Sequence, residues 1–76
     1  MRRKDLVPQG TLLWVAYPDE KPPCITQNYF HSVAGDRAVM FHAASGITVT
    51  APLDHCFFTW AGAYACIKDR VGGGRA

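Results

Sequence analysis

Short runs of alternating or β-branched apolar residues, separated by turn-forming residues, recur along most of the chain. Such runs predict strands, because successive side chains of a strand point to opposite faces and β-branched residues favour extended backbone. The segments between them are rich in proline and glycine, which end strands and form turns. The pattern predicts strands over 11–17, 24–33, 38–43, 47–51 and 57–60.

Two segments in the C-terminal third are less regular. Pro52 closes the fourth predicted strand, and a short helical turn is expected over 53–56. Residues 61–70 contain several alanines, which favour a helix, but they follow an aromatic stretch that favours one continuous strand with Gly62 as a bend. The sequence leaves the conformation of 61–70 open.

A chain of 76 residues is long enough for one domain. We expect a flexible basic arm and turn over 1–10, a single small β-barrel domain over 11–70 and a flexible glycine-rich tail over 71–76. The predicted fold class is all-β, a small antiparallel five-stranded SH3-like barrel, because short strands joined by tight turns close economically in that way.

The predicted outline resembles the plasmid-type dihydrofolate reductases in length, strand order and the long proline-bearing loop at 18–23. That family's active site needs a Gln-Ile-Tyr run on a late strand, where this chain has Thr48-Val49-Thr50. The resemblance therefore implies a barrel shape only, and reductase activity is not carried over.

Turn geometry in the two central hairpins predicts which side chains share a face. A two-residue turn at Gly35-Asp36 sets Phe30 opposite Phe41, and a three-residue loop ending at Gly46 sets Phe41 opposite Val49. A two-residue loop at Ser45-Gly46 is the alternative, and its one-residue slip swaps the faces. The preferred register buries the phenylalanines and exposes Tyr29, His31, Met40, His42, Thr48 and Thr50 on the other face.

One inconsistency accompanies this register. The same count along the second strand places Asn28 and Ser32 inward and Ile25 and Val33 outward. A β-bulge in that strand would correct one of its ends, because an extra residue reverses the alternation beyond it.

An exposed sheet face bearing Tyr, His and Met indicates contact with another molecule. The function predicted is a small non-catalytic binding module, an accessory or inhibitory protein of the kind that phages and mobile elements produce. It is expected to dock on a larger protein through the six residues of that face. The competing structural interpretation is that the arm, residues 61–70 or a second copy in a homodimer covers the face.

Two other functions remain as alternatives. In a nucleic-acid-binding module, Tyr29 would stack on bases, while Arg2, Arg3, Lys4 and Arg37 would contact phosphates. The net charge of +2 is low for such a protein. In an oligomeric barrel enzyme, the active site would form only on assembly.

No catalytic, metal or cofactor set is predicted. His55 and Cys56 are neighbours in sequence, so they are poorly placed to meet as base and nucleophile, and no paired zinc ligands occur. The three cysteines, Cys24, Cys56 and Cys66, are expected in the core. An odd cysteine count and the absence of an apolar N-terminal run predict a cytoplasmic protein that does not enter a membrane.

The two tryptophans are expected to share the core if the first and last strands pair. In the alternative arrangement, an exposed Trp60 extends the binding surface through Phe58.

Overall fold

The computed structural model describes residues 7–69, which form one antiparallel sheet and one α-helix. The sheet has five strands in the order β4-β3-β2-β1-β5. A 3-10 turn, Leu53–His55, connects β4 to β5. The elements are β1 (Leu12–Tyr17), β2 (Cys24–Ala34), β3 (Arg37–His42), β4 (Thr48–Pro52), β5 (Cys56–Phe57) and α1 (Trp60–Lys68).

The prediction of a mainly β fold with five antiparallel strands is confirmed, and so is the helical turn after Pro52. The fifth strand is shorter than predicted, because the chain leaves the sheet after Phe57. The open segment is helical: Thr59 caps α1, its Oγ1 accepting a hydrogen bond from the Gly62 amide at 3.1 Å. Such a cap satisfies an amide that the first helical turn leaves without a partner.

Closure into an SH3-like barrel is not confirmed, because β4 and β5 are the two edges of an open sheet. The sheet is nevertheless curled, since the three residues of the 3-10 turn suffice to join those edges. The Cys56 thiol donates to the Pro52 carbonyl over 3.4 Å, and the Leu53 amide donates to the Asp36 carbonyl at 3.0 Å. The curl gives the sheet a concave and a convex face.

The concave face holds the main hydrophobic core. All five strands contribute to it, and Leu53 of the 3-10 turn packs against it. Its one buried polar side chain in the described core is Asn28, which donates to Thr26 Oγ1 at 2.9 Å. The buried strand residues on this face are Leu13, Val15, Asn28, Phe30, Ala38, Met40, Ala51 and Cys56.

A β-bulge at His31 shifts the pairing of β2 with β3. Near the turn, Ala34 lies opposite Arg37, as predicted, and Ser32 lies opposite Val39. Beyond the bulge, Phe30 lies opposite Met40 rather than Phe41. The extra residue therefore brings Met40 into the core and turns Phe41 to the convex face, opposite to the prediction.

The β3–β4 connection is longer than either predicted loop. The His42 amide donates to the Ile47 carbonyl at 2.8 Å, which leaves four residues, 43–46, in the loop. Phe41 then lies opposite Thr48 and Met40 opposite Val49. Both predicted registers of this hairpin are wrong by at least one residue.

Helix α1 covers one side of the convex face. Trp14 and Phe57 are cross-strand partners on this face, and Gly62 lies so close to the Phe57 ring that a Cβ at Gly62 would be 3.0 Å from Cδ1. Ala16 is fully buried on the same face of β1. The helix thus packs on β5 and on the central part of β1, and no other element of residues 7–69 covers the β2–β4 part of the convex face.

We expect Met40→Ala to lower the free energy of unfolding by about 2–5 kcal/mol, because Met40 is fully buried. Phe41→Ala should cost at least ~1 kcal/mol less, since much of that ring already contacts solvent. Urea denaturation followed by circular dichroism measures both. A larger loss for Phe41→Ala would contradict the bulged register.

Candidate binding surface

A row of three large apolar side chains crosses the convex face. Leu12 lies opposite Tyr29, Tyr29 opposite Phe41, and Phe41 opposite Thr48. Directly opposed residues on one face have Cβ atoms about 5 Å apart, so these side chains are neighbours. The exposed fractions are 38% for Leu12, 45% for Tyr29 and 39% for Phe41. We call Leu12, Tyr29 and Phe41 the convex row.

The bulge places His31 beside the convex row. A bulge places two consecutive residues opposite one, and the side chains of His31 and Ser32 both lie on the convex side. His31 Nδ1 and Ser32 Oγ are hydrogen-bonded at 3.0 Å. The exposed His31 ring meets Phe41 edge-on, with 5.4 Å between ring centroids. This contact gives the row an aromatic end with polar ring nitrogens.

A second group of exposed aromatic residues lies at α1. Trp60 and Tyr64, one helical turn apart, are stacked with 4.9 Å between ring centroids, and Lys68 Nζ lies 5.8 Å from the Tyr64 ring centre. Phe58, just before the helix, is half-exposed. Because β5 runs antiparallel to β1 with Phe57 opposite Trp14, the chain leaves β5 towards the Leu12 end of β1. Trp60 is 49% exposed, so it does not share the core with Trp14, and it lies beside the exposed Phe58 as in the alternative arrangement.

The convex face is nearly free of charge. Among the strand residues on it, Arg37 is the charged one, and its guanidinium donates to the Thr50 carbonyl at 3.3 Å and lies 3.4 Å from Thr50 Oγ1. The five carboxylates of residues 7–69 lie in loops, in the 3-10 turn or at the end of α1: Asp19, Glu20, Asp36, Asp54 and Asp69. The convex row thus has a neutral polar surround.

Four of the six predicted partner-binding residues lie on the convex side, and the other two lie on the concave side. Tyr29, His31, Thr48 and Thr50 are exposed on the convex side. Met40 is fully buried in the concave core, so its predicted exposure is wrong. His42 lies opposite Asn28 on the concave side and is half-buried, so its predicted place beside Tyr29 is also wrong.

His42 has a local structural role. Its Nδ1 is hydrogen-bonded to Ser45 Oγ at 3.0 Å and accepts from the Ser45 amide at 3.3 Å. Both contacts lie within the β3–β4 connection, and they account for a wider turn than the sequence predicted. Of the predicted nucleic-acid contacts, Tyr29 and Arg37 are exposed, whereas Arg2, Arg3 and Lys4 lie outside the described residues.

The sequence does not predict Leu12 and Phe41 at the surface, and it leaves the conformation of 61–70 open. The signal for Phe41 was the inconsistency around Ser32 and Val33, which one extra residue in β2 removes. Val33 turns inward after the bulge and packs against the core, whereas Asn28 stays inward as predicted. The position of the bulge itself has no distinct sequence marker.

The neighbouring side chains His55 and Cys56 lie in different surroundings. The Cys56 thiol is fully buried on the concave side and donates to the Pro52 carbonyl. His55 instead borders a groove of about 660 Å³ between the 3-10 turn and α1, together with Asp54, Phe57 and Cys66. Within residues 7–69, no three His, Cys, Asp or Glu side chains are grouped to hold a metal ion.

The expectation that all three cysteines are core residues is confirmed for Cys56 alone. Cys24 is exposed at the start of β2, and Cys66 is half-buried on α1. None of the three forms a disulfide.

Comparisons with protein-family models, with curated proteins and with solved structures find no match to this chain. Over residues 7–69 there is no helix of the length and apolar character needed to cross a bilayer.

Alkaline pH should destabilise the fold through the Cys56 thiol. Burial raises the pKa of Cys56 from 9.0 to about 11, so the folded state holds this proton more tightly than the unfolded chain. The free energy of unfolding should be steady below about pH 8 and fall by about 1–3 kcal/mol from pH 9 to 11. Burial also raises the pKa of Tyr17, which acts in the same direction.

The control is Cys56→Ala, measured by urea denaturation across this pH range. It should be less stable at neutral pH but lose less stability between pH 9 and 11. Equal pH slopes for the variant and the wild type would contradict the role of the thiol.

Proposed function

We propose that this protein is a small non-catalytic binding module that docks on a larger protein through the convex row. It acts as an accessory or inhibitory protein in a reducing cytoplasm. The observation that carries the proposal is the register, which places Leu12, Tyr29 and Phe41 side by side while leaving each more than a third exposed. The curled sheet is interpreted as an open relative of the SH3-like barrels, with β1 between β2 and β5.

The composition of the row suits a protein partner. Tyrosine is over-represented among the residues that dominate binding energy, and such residues lie near the centre of an interface, surrounded by groups that exclude water. Tyr29 occupies the middle of the row, between Leu12 and Phe41. Uncharged polar side chains of Gln27 and Thr48 lie on the same face, and they suit the rim of an interface.

The charge distribution supports a protein over a nucleic acid. Residues 7–69 contain three cationic side chains against five carboxylates. Phosphate recognition usually relies on several cations on one face, whereas the convex strands carry Arg37 alone. The nucleic-acid function remains the alternative, with Tyr29 and His31 stacking on bases and Arg2, Arg3 and Lys4 on phosphates.

Tyr29→Ala tests the docking surface, and Tyr64→Ala is its matched control. Both tyrosines are 45% exposed, but Tyr64 lies on α1. In affinity purification from the cells that express the protein, a partner should be recovered with the wild type and with Tyr64→Ala. Loss of a central tyrosine should weaken its binding by about 30-fold or more, near 2 kcal/mol. Recovery that is equal in all three samples, with circular dichroism unchanged, would contradict docking through the convex row.

Oligonucleotide titration tests the alternative directly. The fluorescence of Tyr29 and of the tryptophans should not change when short single-stranded or duplex oligonucleotides are added at low salt. Saturable quenching that disappears at physiological salt would instead identify nucleic acid as the ligand, because phosphate contacts weaken steeply with salt. Shortening the chain by residues 1–4 would then reduce that affinity.

A further inference from the structure

The outer edge of β4 is the longer of the two open edges of the sheet. Strand edges attract other strands, and proteins commonly protect them with charged side chains. Residues 43–52 contain no charged residue, and β4 itself has the sequence Thr-Val-Thr-Ala-Pro. No strand of residues 7–69 pairs with this edge.

Two residues of β4 direct their backbone groups away from β3. The His42–Ile47 hydrogen bond begins the β3–β4 ladder, and hydrogen-bonded pairs alternate with non-bonded ones in antiparallel sheets. Met40–Val49 and Ala38–Ala51 are therefore the bonded pairs. It follows that Thr48 and Thr50 present their amides and carbonyls at the outer edge.

We propose that a second copy of this chain pairs with β4, antiparallel and about a two-fold axis through Val49. In this register, Thr48 of each copy lies opposite Thr50 of the other. Each such pair exchanges two backbone hydrogen bonds, because both members direct their groups outward. The two sheets become one, and the convex faces of the two copies lie on the same side.

Proline and glycine exclude the neighbouring registers. An axis through Thr50 would place Pro52 opposite Thr48, and Pro52 has no amide to donate. An axis through Thr48 would place Gly46 opposite Thr50, but Gly46 has a φ of +77°, which is not extended backbone. The axis through Val49 is the register in which the outward amides and carbonyls of both Thr48 and Thr50 find partners.

The side chains in this register are self-complementary, which favours a second copy over an unrelated strand. Threonine faces threonine on the convex side, a favourable cross-strand pair. On the concave side, Val49 meets its own copy. Ile47 comes to lie beside the other copy's Ala51; at 61% it has the highest exposed fraction among the exposed large apolar residues in the described chain. The side chains of β4 itself are uncharged, so they do not repel those of the second copy.

Arg37 competes with this pairing. Its guanidinium donates to the Thr50 carbonyl, which is the acceptor that the second copy's Thr48 amide requires. The two Arg37 side chains would also carry like charges along the joined edges. Arg37→Ala should therefore strengthen self-association several-fold.

Sedimentation equilibrium of the full chain tests the proposal. The wild type should reach twice its monomer mass of 8.4 kDa, whereas Thr50→Pro, which lacks the outward amide, should remain monomeric. Thr50→Val keeps the amide and should still dimerise. A wild type that stays at 8.4 kDa at millimolar concentration would overturn the proposal, and so would a Thr50→Pro dimer.

A second variant guards against misfolding of Thr50→Pro. The double substitution Thr48→Lys, Thr50→Lys changes exposed side chains only, and it should keep the circular dichroism spectrum while repelling the second strand. Dimerisation of this variant would also overturn the proposal. Tyr29→Ala should dimerise like the wild type, so failure of edge pairing and failure of docking through the convex row are distinguishable.

Discussion

One extra residue in β2 determines which side chains this protein buries and which it presents. Because strand side chains alternate with a period of two, the bulge at His31 reverses the faces of β3 relative to an unbulged hairpin. Met40 fills the core in place of Phe41, and the phenylalanine joins Tyr29 on the outside. His31, displaced by the bulge, packs its ring edge against Phe41. The place of Phe41 in the convex row is a consequence of this single irregularity.

The strands were predictable because prolines and glycines mark their ends. The turn at Gly35-Asp36 also gave the correct pairing of Ala34 with Arg37, since Gly35 supplies a positive φ of 66°. The faces further along were not predictable, because the bulge depends on packing between strands that are distant in sequence. The predicted β3–β4 loop is too short, because contacts of His42 with Ser45 stabilise a wider turn. The short helix depends on a cap at Thr59 that tertiary contacts support, since nine residues alone are marginal as a helix.

The sequence predicts only part of the candidate surface, because the bulge in β2 changes which residues of β3 face outward. The predicted outward positions of Tyr29 and His31 agree with the structure. Tyr29 precedes the bulge and His31 occupies it, so the alternation of side chains along this part of β2 is as predicted. Met40 and His42 are predicted on the wrong face because the β2–β3 pairing, counted from the turn at Gly35-Asp36, omits the extra residue of the bulge. The sequence does not predict Leu12 on this surface. Its neighbours depend on the pairing of β1 with β2, and the prolines of the connection 18–23 make the geometry of that connection irregular. A sequence pattern gives strands more readily than it gives the alignment between strands.

Small size sets the balance between the two faces of this sheet. A domain near 60 residues buries only about 60% of the surface of its unfolded chain, so its apolar residues are scarce. The concave core takes small residues such as Ala38 and Ala51 and even accepts Asn28, whose Oδ1 is buried without a hydrogen-bond partner among the described residues. The large side chains of Leu12, Tyr29 and Phe41 nevertheless remain more than a third exposed, and this exposure supports the proposal that the convex row docks on a partner.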